Sequence, residues 1–220
     1  MTKSSQYSRS GFTLVELIVG LTLSGVVMAA VLSSYLYLAR GLARLANQQV
    51  LESEARRTLG YFTRDVQMAS GIDTTVTLSA TRVSLTVPTT SGTNTITYYY
   101  NNTPSAASVT VNGTSISMPA NSFTRCVYNG STVTALALLK LRNINNTAVS
   151  SRSDLTIRYY DSSSNEYTSN YTDYLPGIKQ LRLEFSTQNG NDPNDTATAQ
   201  SASCSVVSNR LIIRNKALLQ

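Results

Sequence analysis

Residues 11–20 read GFTLVELIVG, and the uncharged run that they open decides the fold. The ten residues before Gly11 form a polar leader with two basic side chains and no acid. No charged residue lies between Glu16 and Arg40. Such a run can cross a bilayer as a helix, which takes about 20 apolar residues. Glu16 stands just inside it, and an ionisable group in a membrane segment is costly and is a candidate for function.

The stretch GFTLVE at residues 11–16 resembles the processing site of type IV prepilins and pseudopilins. The resemblance implies that a membrane prepilin peptidase cuts between Gly11 and Phe12 and methylates the new amino group of Phe12. Glycine suits the cut because its backbone carries no side chain. The cut creates an α-ammonium beside an apolar helix, and Glu16 of one subunit can pair with Phe12 of the next, so that neither charge is left alone.

Two other interpretations of this segment are open. In the first, it is an ordinary signal peptide with a small-residue site at Val27-Met28-Ala29. The length of the apolar run and the presence of Glu16 argue against it. In the second, it is a simple signal anchor with Glu16 near the membrane interface, which leaves the Gly11–Phe12 pair unexplained.

The resemblance implies a leader at 1–11 and a membrane or filament-core half-helix at 12–39, and the periodicity then separates an amphipathic half-helix (40–70) from a β-rich head (71–220). Apolar residues recur at steps of mostly three and four in the second half-helix, as on one face of a helix: Leu45, Leu51, Ala55, Leu59, Phe62, Val66 and Ala69. Gly71 follows as a predicted C-cap, and Glu52 and Arg56 are spaced for an ion pair. The predicted helix contains no proline, whereas many major pilins carry one there.

Beyond Gly71 the period changes to two, which predicts strands. The predicted strands are 76–78, 83–87, 96–100, 109–111, 115–118, 123–128, 155–160, 178–185 and a final pair around 206 and 211–214. Residues 133–141 fit either a strand or a helix. Asn112-Gly113 and Asn129-Gly130 are turn signals. Since no helices separate the strands, we expect antiparallel pairing and an α+β fold, a long helix packed on a β-sheet head as in pilins.

A narrower resemblance rests on two stretches. Residues 57–72 read RTLGYFTRDVQMASGI and residues 209–214 read NRLIIR. Both are similar to the corresponding parts of PilW-like minor pilins and of J-type pseudopilins of type II secretion. The alternative is that Arg64 and Asp65 form a solvated turn of an amphipathic helix.

Charge and cysteine content bear on compartment and partners. The chain has 18 basic and 12 acidic side chains, a net charge of +6, and its basic residues are scattered rather than clustered. We therefore expect no nucleic-acid partner. Cys126 and Cys204 are predicted to form a disulfide in an oxidising compartment; two buried free thiols are the alternative.

No catalytic or cofactor motif is found in the sequence. Without histidine there is no Ser-His-Asp or Cys-His site and no histidine-ligated metal. Asp192 and Asp195 lie in an oxygen-rich stretch that is a weak candidate for Ca²⁺, although such stretches are more often plain loops. The tyrosines at 98–100, 159–160, 167, 171 and 174 could line an aromatic surface, but strand packing is the favoured interpretation.

The expected function is structural, not enzymatic, and needs no cofactor. The resemblance implies a minor pilin that initiates, caps or stabilises a type IV pilus-like filament after leader cleavage. Its partners would be other pilin-like subunits, the prepilin peptidase and the inner-membrane assembly platform. The chain would be a single-pass inner-membrane protein with a periplasmic or extracellular head, and later part of a surface filament. Two alternatives are a tip pseudopilin of a type II secretion system and an adhesin-like module on a pilin stalk.

Overall fold

One long helix precedes all the strands. The computed structural model describes residues 11–73, 76–90, 92–103, 105–140, 155–169, 171, 177–189 and 202–213. Helix α1 runs over Leu14–Met68, close to the predicted bounds of Phe12 and about Ser70. The chain divides within this helix into two compact units, Met1–Arg44 and Leu45–Gln220. We call these the N-terminal unit and the C-terminal unit.

The part of α1 in the C-terminal unit has the amphipathic face predicted from the sequence. Five of the seven predicted apolar positions are buried: Leu51, Ala55, Phe62, Val66 and Ala69. Leu59 is partly buried and packs against the same core, whereas Leu45 is exposed. The predicted pair of Glu52 and Arg56 is present at 3.8 Å on the solvent side. The helix is therefore held to the core by its residues from Leu51 onward.

The strands that follow are β1 (Gly71–Ile72), β2 (Arg82–Thr89), β3 (Gly92–Asn101), β4 (Ala107–Val111), β5 (Thr114–Met118), β6 (Ser122–Tyr128), β7 (Val133–Lys140), β8 (Leu155–Tyr160), β9 (Glu166–Tyr167), β10 (Gln180–Asn189), β11 (Ala202–Val207) and β12 (Leu211–Ile212). Sheet A has the order β1-β2-β3-β6-β7, sheet B is the β4–β5 hairpin, and sheet C has the order β11-β10-β8-β9 with β12 also paired to β10. All these pairings are antiparallel. The predicted α+β class is confirmed, and the ambiguous stretch after Val133 is a strand.

The connection from α1 into sheet A differs from the prediction. Gly71 is not a C-cap but the first residue of β1, which pairs with β2 through Ile72 and Leu85. The backbone N–H of Ser70 already donates to the carbonyl of Thr86 at 2.8 Å. This short strand occupies the edge of β2 at which the predicted strand 76–78 would have paired. Accordingly, that predicted strand is wrong, and residues 76–78 are irregular.

Both predicted tight turns are confirmed. Asn112 and Gly113 join β4 to β5 with φ angles of 46° and 79°. Positive φ at both positions is the type I′ geometry that favours Asn-Gly in two-residue hairpins. Between β6 and β7, Asn129 Oδ1 accepts hydrogen bonds from the backbone N–H groups of Ser131 and Thr132 at 3.1 and 2.9 Å. That side-chain cap explains the second turn, in which Gly130 also has positive φ.

Aromatic residues connect α1 to one face of sheet A. The rings of Phe62 and Tyr98 meet edge to face at 5.2 Å, and Tyr98 stacks on Phe123 at 5.5 Å. Sheet C contributes to the same core through residues such as Ile157 and Leu183. A second cluster, Val109, Val111, Met118 and Cys126, packs sheet B against sheet A.

Most of the described tyrosines in the predicted aromatic set are packed inside the protein. Tyr98, Tyr100, Tyr159 and Tyr160 are buried, and Tyr99, Tyr167 and Tyr171 are partly buried. Tyr174 lies outside the described residues. Strand packing is thus the correct interpretation for the described members of the set.

Candidate processing and assembly site

Gly11, Phe12 and Thr13 form an exposed, non-helical segment immediately before α1. The side chain of Phe12 is 88% exposed. A Cβ added to Gly11 would meet no atom within 4 Å, and the residue does not adopt positive φ. Nothing in the fold therefore requires glycine at position 11.

Thr13 and Glu16 cap the start of α1 reciprocally. The Glu16 backbone N–H donates to Thr13 Oγ1 at 3.3 Å. In return, Glu16 Oε2 accepts from the Thr13 backbone N–H and from its hydroxyl, each at 3.0 Å. This is the capping box, in which a Thr and a Glu three residues later satisfy helix N–H groups that have no partner within the helix. The helix begins where it does because of this pair.

The cap uses one oxygen of the Glu16 carboxylate. Among the described residues no hydrogen bond or ion pair reaches Oε1. The carboxylate can therefore hold the helix end through Oε2 and accept an ammonium group through Oε1. Thr13 was not identified in the sequence analysis, but the spacing T-x-x-E ahead of an apolar run is a signal that predicts it.

The helix after this cap is apolar and exposed. Large hydrophobic side chains at many positions of its first part are more than half exposed: Leu14, Val15, Leu17, Ile18, Leu21, Leu23, Val26, Val27, Met28, Val31, Leu32, Leu36 and Leu38. By length and composition this helix could cross a membrane. A surface of this kind is stable only when lipid or protein covers it. The apolar helix and the motif before it support membrane anchoring.

A second constellation, within the C-terminal unit, fastens α1 to sheet A. Asp65 is 1% exposed and accepts hydrogen bonds from Arg125 Nε to Oδ2 at 2.6 Å and from Arg125 Nη2 to Oδ1 at 3.1 Å. Its Oδ2 also accepts from the Tyr98 hydroxyl at 2.7 Å. Burial, and then the negative charge of Asp65, raise the pKa of Tyr98. Because the buried carboxylate has three donors on two strands, the group holds the helix in one position.

The two residues at 64 and 65 have different environments. Arg64 is exposed, as a solvated turn would require. Asp65 is buried, so the solvated-turn alternative is wrong for it. The burial of Asp65 can be inferred from its position between Phe62 and Ala69 on the apolar face of the helix. A buried carboxylate needs a hydrogen-bond or ion-pair partner. We call Asp65, Arg125 and Tyr98 the latch.

Cys126 is a free and buried thiol. Burial raises its pKa to about 11, against the opposing effect of Arg82 and Arg125. Cys204 lies on β11, opposite Thr187, in the other large sheet, and its side chain is outside those described. The bond between Cys126 and Cys204 therefore stays a prediction, and so does its alternative of two buried free thiols.

The structure does not test the calcium candidate. Asp192 and Asp195 lie outside the described residues. Within the part of the chain that the structure describes, no group of three or more carboxylate or thiol side chains could hold a metal ion.

Comparison with known proteins supports the interpretation of the N-terminus. Residues 7–32 match the family model for the prokaryotic N-terminal methylation motif. This match supports a type IV pilin-like family, whose members are structural rather than catalytic. No curated protein matches the chain, and no solved structure matches it.

Proposed function

We propose that this chain is a structural minor pilin that initiates, caps or stabilises a type IV pilus-like filament after cleavage between Gly11 and Phe12. The observation that carries the proposal is the N-terminus itself. The segment that matches the methylation motif, residues 7–32, includes the first part of an exposed apolar helix. At the start of that helix stands a carboxylate with one oxygen in a helix cap and the other open to a partner.

The exposed segment suits a processing enzyme. A peptidase must bind the backbone around the bond that it cuts, and Gly11 and Phe12 lie outside the helix, where their backbone is accessible. Since packing and backbone angle do not demand glycine at position 11, a requirement for it would come from the enzyme. Cleavage then leaves Phe12 with an α-ammonium, which methylation does not neutralise.

Assembly follows from the helix. The ammonium of Phe12 in one subunit would meet Glu16 of its neighbour while the apolar side chains of both helices are covered by each other. A charge pair inside an apolar bundle is favourable only when both partners are present, so it selects the correct stagger between helices. We propose a minor rather than a major subunit because α1 contains no proline. The stretches at residues 57–72 and 209–214 favour the PilW-like or J-type group.

The experiment is N-terminal analysis of the membrane-bound protein made in cells with a prepilin peptidase. The wild-type chain should begin at N-methylated Phe12. Gly11→Leu should keep the leader because the larger side chain blocks the enzyme. Gly20→Leu is the matched control, since Gly20 also has open space around it, and it should be processed normally. A mature chain that begins at Ala30 would overturn the proposal in favour of an ordinary signal peptide.

A further inference from the structure

A band of polar-tipped side chains ends the uncharged run of α1. Tyr35 and Tyr37 are 67% and 79% exposed, and Arg40 is also exposed. They follow a stretch in which the large exposed hydrophobic side chains are aliphatic apart from Met28. The hydroxyl groups of the two tyrosines and the guanidinium of Arg40 need polar partners, which the hydrocarbon tails of lipids do not provide.

The spacing along the helix matches the layers of a bilayer. At 1.5 Å per residue, Tyr35 and Tyr37 lie about 28 and 31 Å from Glu16, and Arg40 lies about 36 Å from it. The hydrocarbon core of a bilayer is about 30 Å thick, with about 5–7 Å of headgroups on each side. When Glu16 is at one boundary, the tyrosines are at the other and Arg40 is in the headgroup layer. Tyrosine is enriched at that boundary.

The arginines beyond the run oppose the usual charge bias. Basic residues are concentrated on the cytoplasmic side of membrane helices, and here the leader offers Lys3 and Arg9. The segment after the run holds four arginines by residue 57, and it lies on the outer side when the leader is inside. They act against the orientation that export of the C-terminal unit needs, and an anionic group on the outer side would offset this effect.

Arg40 differs from Arg56 and Arg57 in having no hydrogen-bond or ion-pair partner among the described residues. Arg56 faces Glu52, and Arg57 Nη2 donates to the carbonyl of Leu138 at 2.9 Å. No hydrogen bond or ion pair reaches Arg40 from the described residues. Its planar guanidinium is suited to two parallel hydrogen bonds with a phosphate.

We propose that Arg40, flanked by Tyr35 and Tyr37, binds the headgroup of an anionic phospholipid in the outer leaflet of the membrane that the helix crosses. The proposal rests on membrane anchoring and not on filament assembly. Attraction between Arg40 and an anionic headgroup would stabilise the membrane-anchored subunit. This interaction would be lost when the subunit leaves the membrane.

The test uses the full chain reconstituted in phosphatidylcholine bilayers that contain spin-labelled lipid. The measurement is the fraction of label immobilised at the protein, for labelled phosphatidylglycerol and for labelled phosphatidylcholine. One arginine at the surface should give about a fivefold preference for the anionic lipid. Arg40→Gln should lose most of this preference, while its unchanged phosphatidylcholine fraction shows that the helix is still inserted.

Arg64→Gln is the matched control, because Arg64 is an exposed arginine further along the same helix. It should keep the wild-type preference. Equal immobilisation of the two lipids by the wild-type chain would overturn the proposal. So would a preference that Arg40→Gln leaves unchanged, and loss of co-purifying subunits in that variant would instead assign Arg40 to an acidic group of another protein.

Discussion

Glu16 has two tasks that chemistry can separate. Its Oε2 caps the helix with Thr13 inside a single chain. Its charge would, in the proposed assembly, also pair with the ammonium group of another chain. Glutamine can replace glutamate in a capping box because its side-chain oxygen also accepts from the backbone. The two tasks therefore predict different results for two substitutions.

We expect Glu16→Gln and Glu16→Ala to insert into the membrane as well as the wild-type chain, since removing a charge from an apolar run favours insertion. Both should be recovered poorly in purified filaments, because the neighbour's ammonium loses its counter-ion. The alanine variant alone should lose the cap, worth about 1 kcal/mol, and exchange the amide hydrogens of the first helical turn about fivefold faster. Filament recovery and amide exchange by mass spectrometry measure the two effects. Wild-type recovery of Glu16→Gln would show that the charge is not used in assembly.

The candidate residues at the start of the helix can be selected from the sequence, whereas the latch cannot. Gly11, Phe12, Thr13 and Glu16 stand within six consecutive positions, so a local pattern contains all of them. Asp65, in contrast, meets an arginine that is 60 residues away. The burial of Asp65 can be inferred from the helical period. Which residue pairs with Asp65 depends on the register of β6 against β3, and this register cannot be predicted from a single sequence.

At the scale of elements, the latch fixes the end of α1 on the middle of sheet A. Arg125 lies on β6 and Tyr98 on β3, and these strands are paired through the two residues themselves. Asp65 therefore bridges from the helix to two adjacent strands at once. Surface ion pairs such as Glu52–Arg56 contribute little to stability, whereas removing one partner of a buried ion pair costs about 3–5 kcal/mol.

We expect Asp65→Asn to destabilise the C-terminal unit by about 3 kcal/mol, because it leaves the largely buried guanidinium of Arg125 without a counter-charge. Urea unfolding followed by circular dichroism measures the change. Arg64→Ala alters the neighbouring exposed position and should stay within about 0.5 kcal/mol of the wild type. An Asp65→Asn variant as stable as Arg64→Ala would mean that the latch adds nothing to the fold.

The strands could be predicted in proportion to their length. Those of five residues or more show a period of two and were identified, although β7 stayed ambiguous because small apolar residues suit a helix as well. Of the three two-residue strands, β1 and β9 are too short to show any period and are not predicted, whereas β12 lies within the predicted strand 211–214. The wrong strand at 76–78 has the right pattern, but the edge of β2 was already taken by Gly71 and Ile72. Competition for an edge is a tertiary effect that local patterns omit.

At the scale of the whole molecule, the compact unit starts earlier than the strands. The C-terminal unit begins at Leu45, and its helix contributes Leu51 and Ala55, which are 4% and 3% exposed. The predicted boundaries of the head at Gly71 and of the membrane half at residue 39 follow the change of period. Packing places part of the helix with the strands instead.

We expect the fragment of residues 45–220 to be a soluble, strand-rich domain, and a fragment of residues 58–220 to be less stable by about 2–3 kcal/mol because it exposes the core that Leu51 and Ala55 cover. For a domain of this size the melting temperature should fall by about 5–10 °C. Thermal denaturation of both measures the difference. A fragment of residues 48–220 lacks only helix residues that precede the buried Leu51. It should have the same melting temperature as the fragment of residues 45–220. Equal melting of all three would contradict the contribution of α1 to this unit.

The two cysteines need a measurement on the whole chain. A thiol count on the unfolded, unreduced protein gives zero for the predicted bond between Cys126 and Cys204 and two for free thiols. In the folded protein a free Cys126 would react slowly at neutral pH, because its pKa near 11 and its burial keep the thiol protonated and covered.

The attachment of α1 to sheet A also determines how the C-terminal unit responds to mechanical tension. The backbone passes from Met68 into β1, a two-residue strand at the outer edge of the sheet. A pull transmitted through that edge alone would break the hydrogen bonds between β1 and β2 one after another. Asp65 provides a second attachment, to β3 and β6 in the interior of the sheet, so that the force is shared between the edge strand and the latch. A pull on α1 would therefore have to break the latch as well as β1 before it unfolds the C-terminal unit.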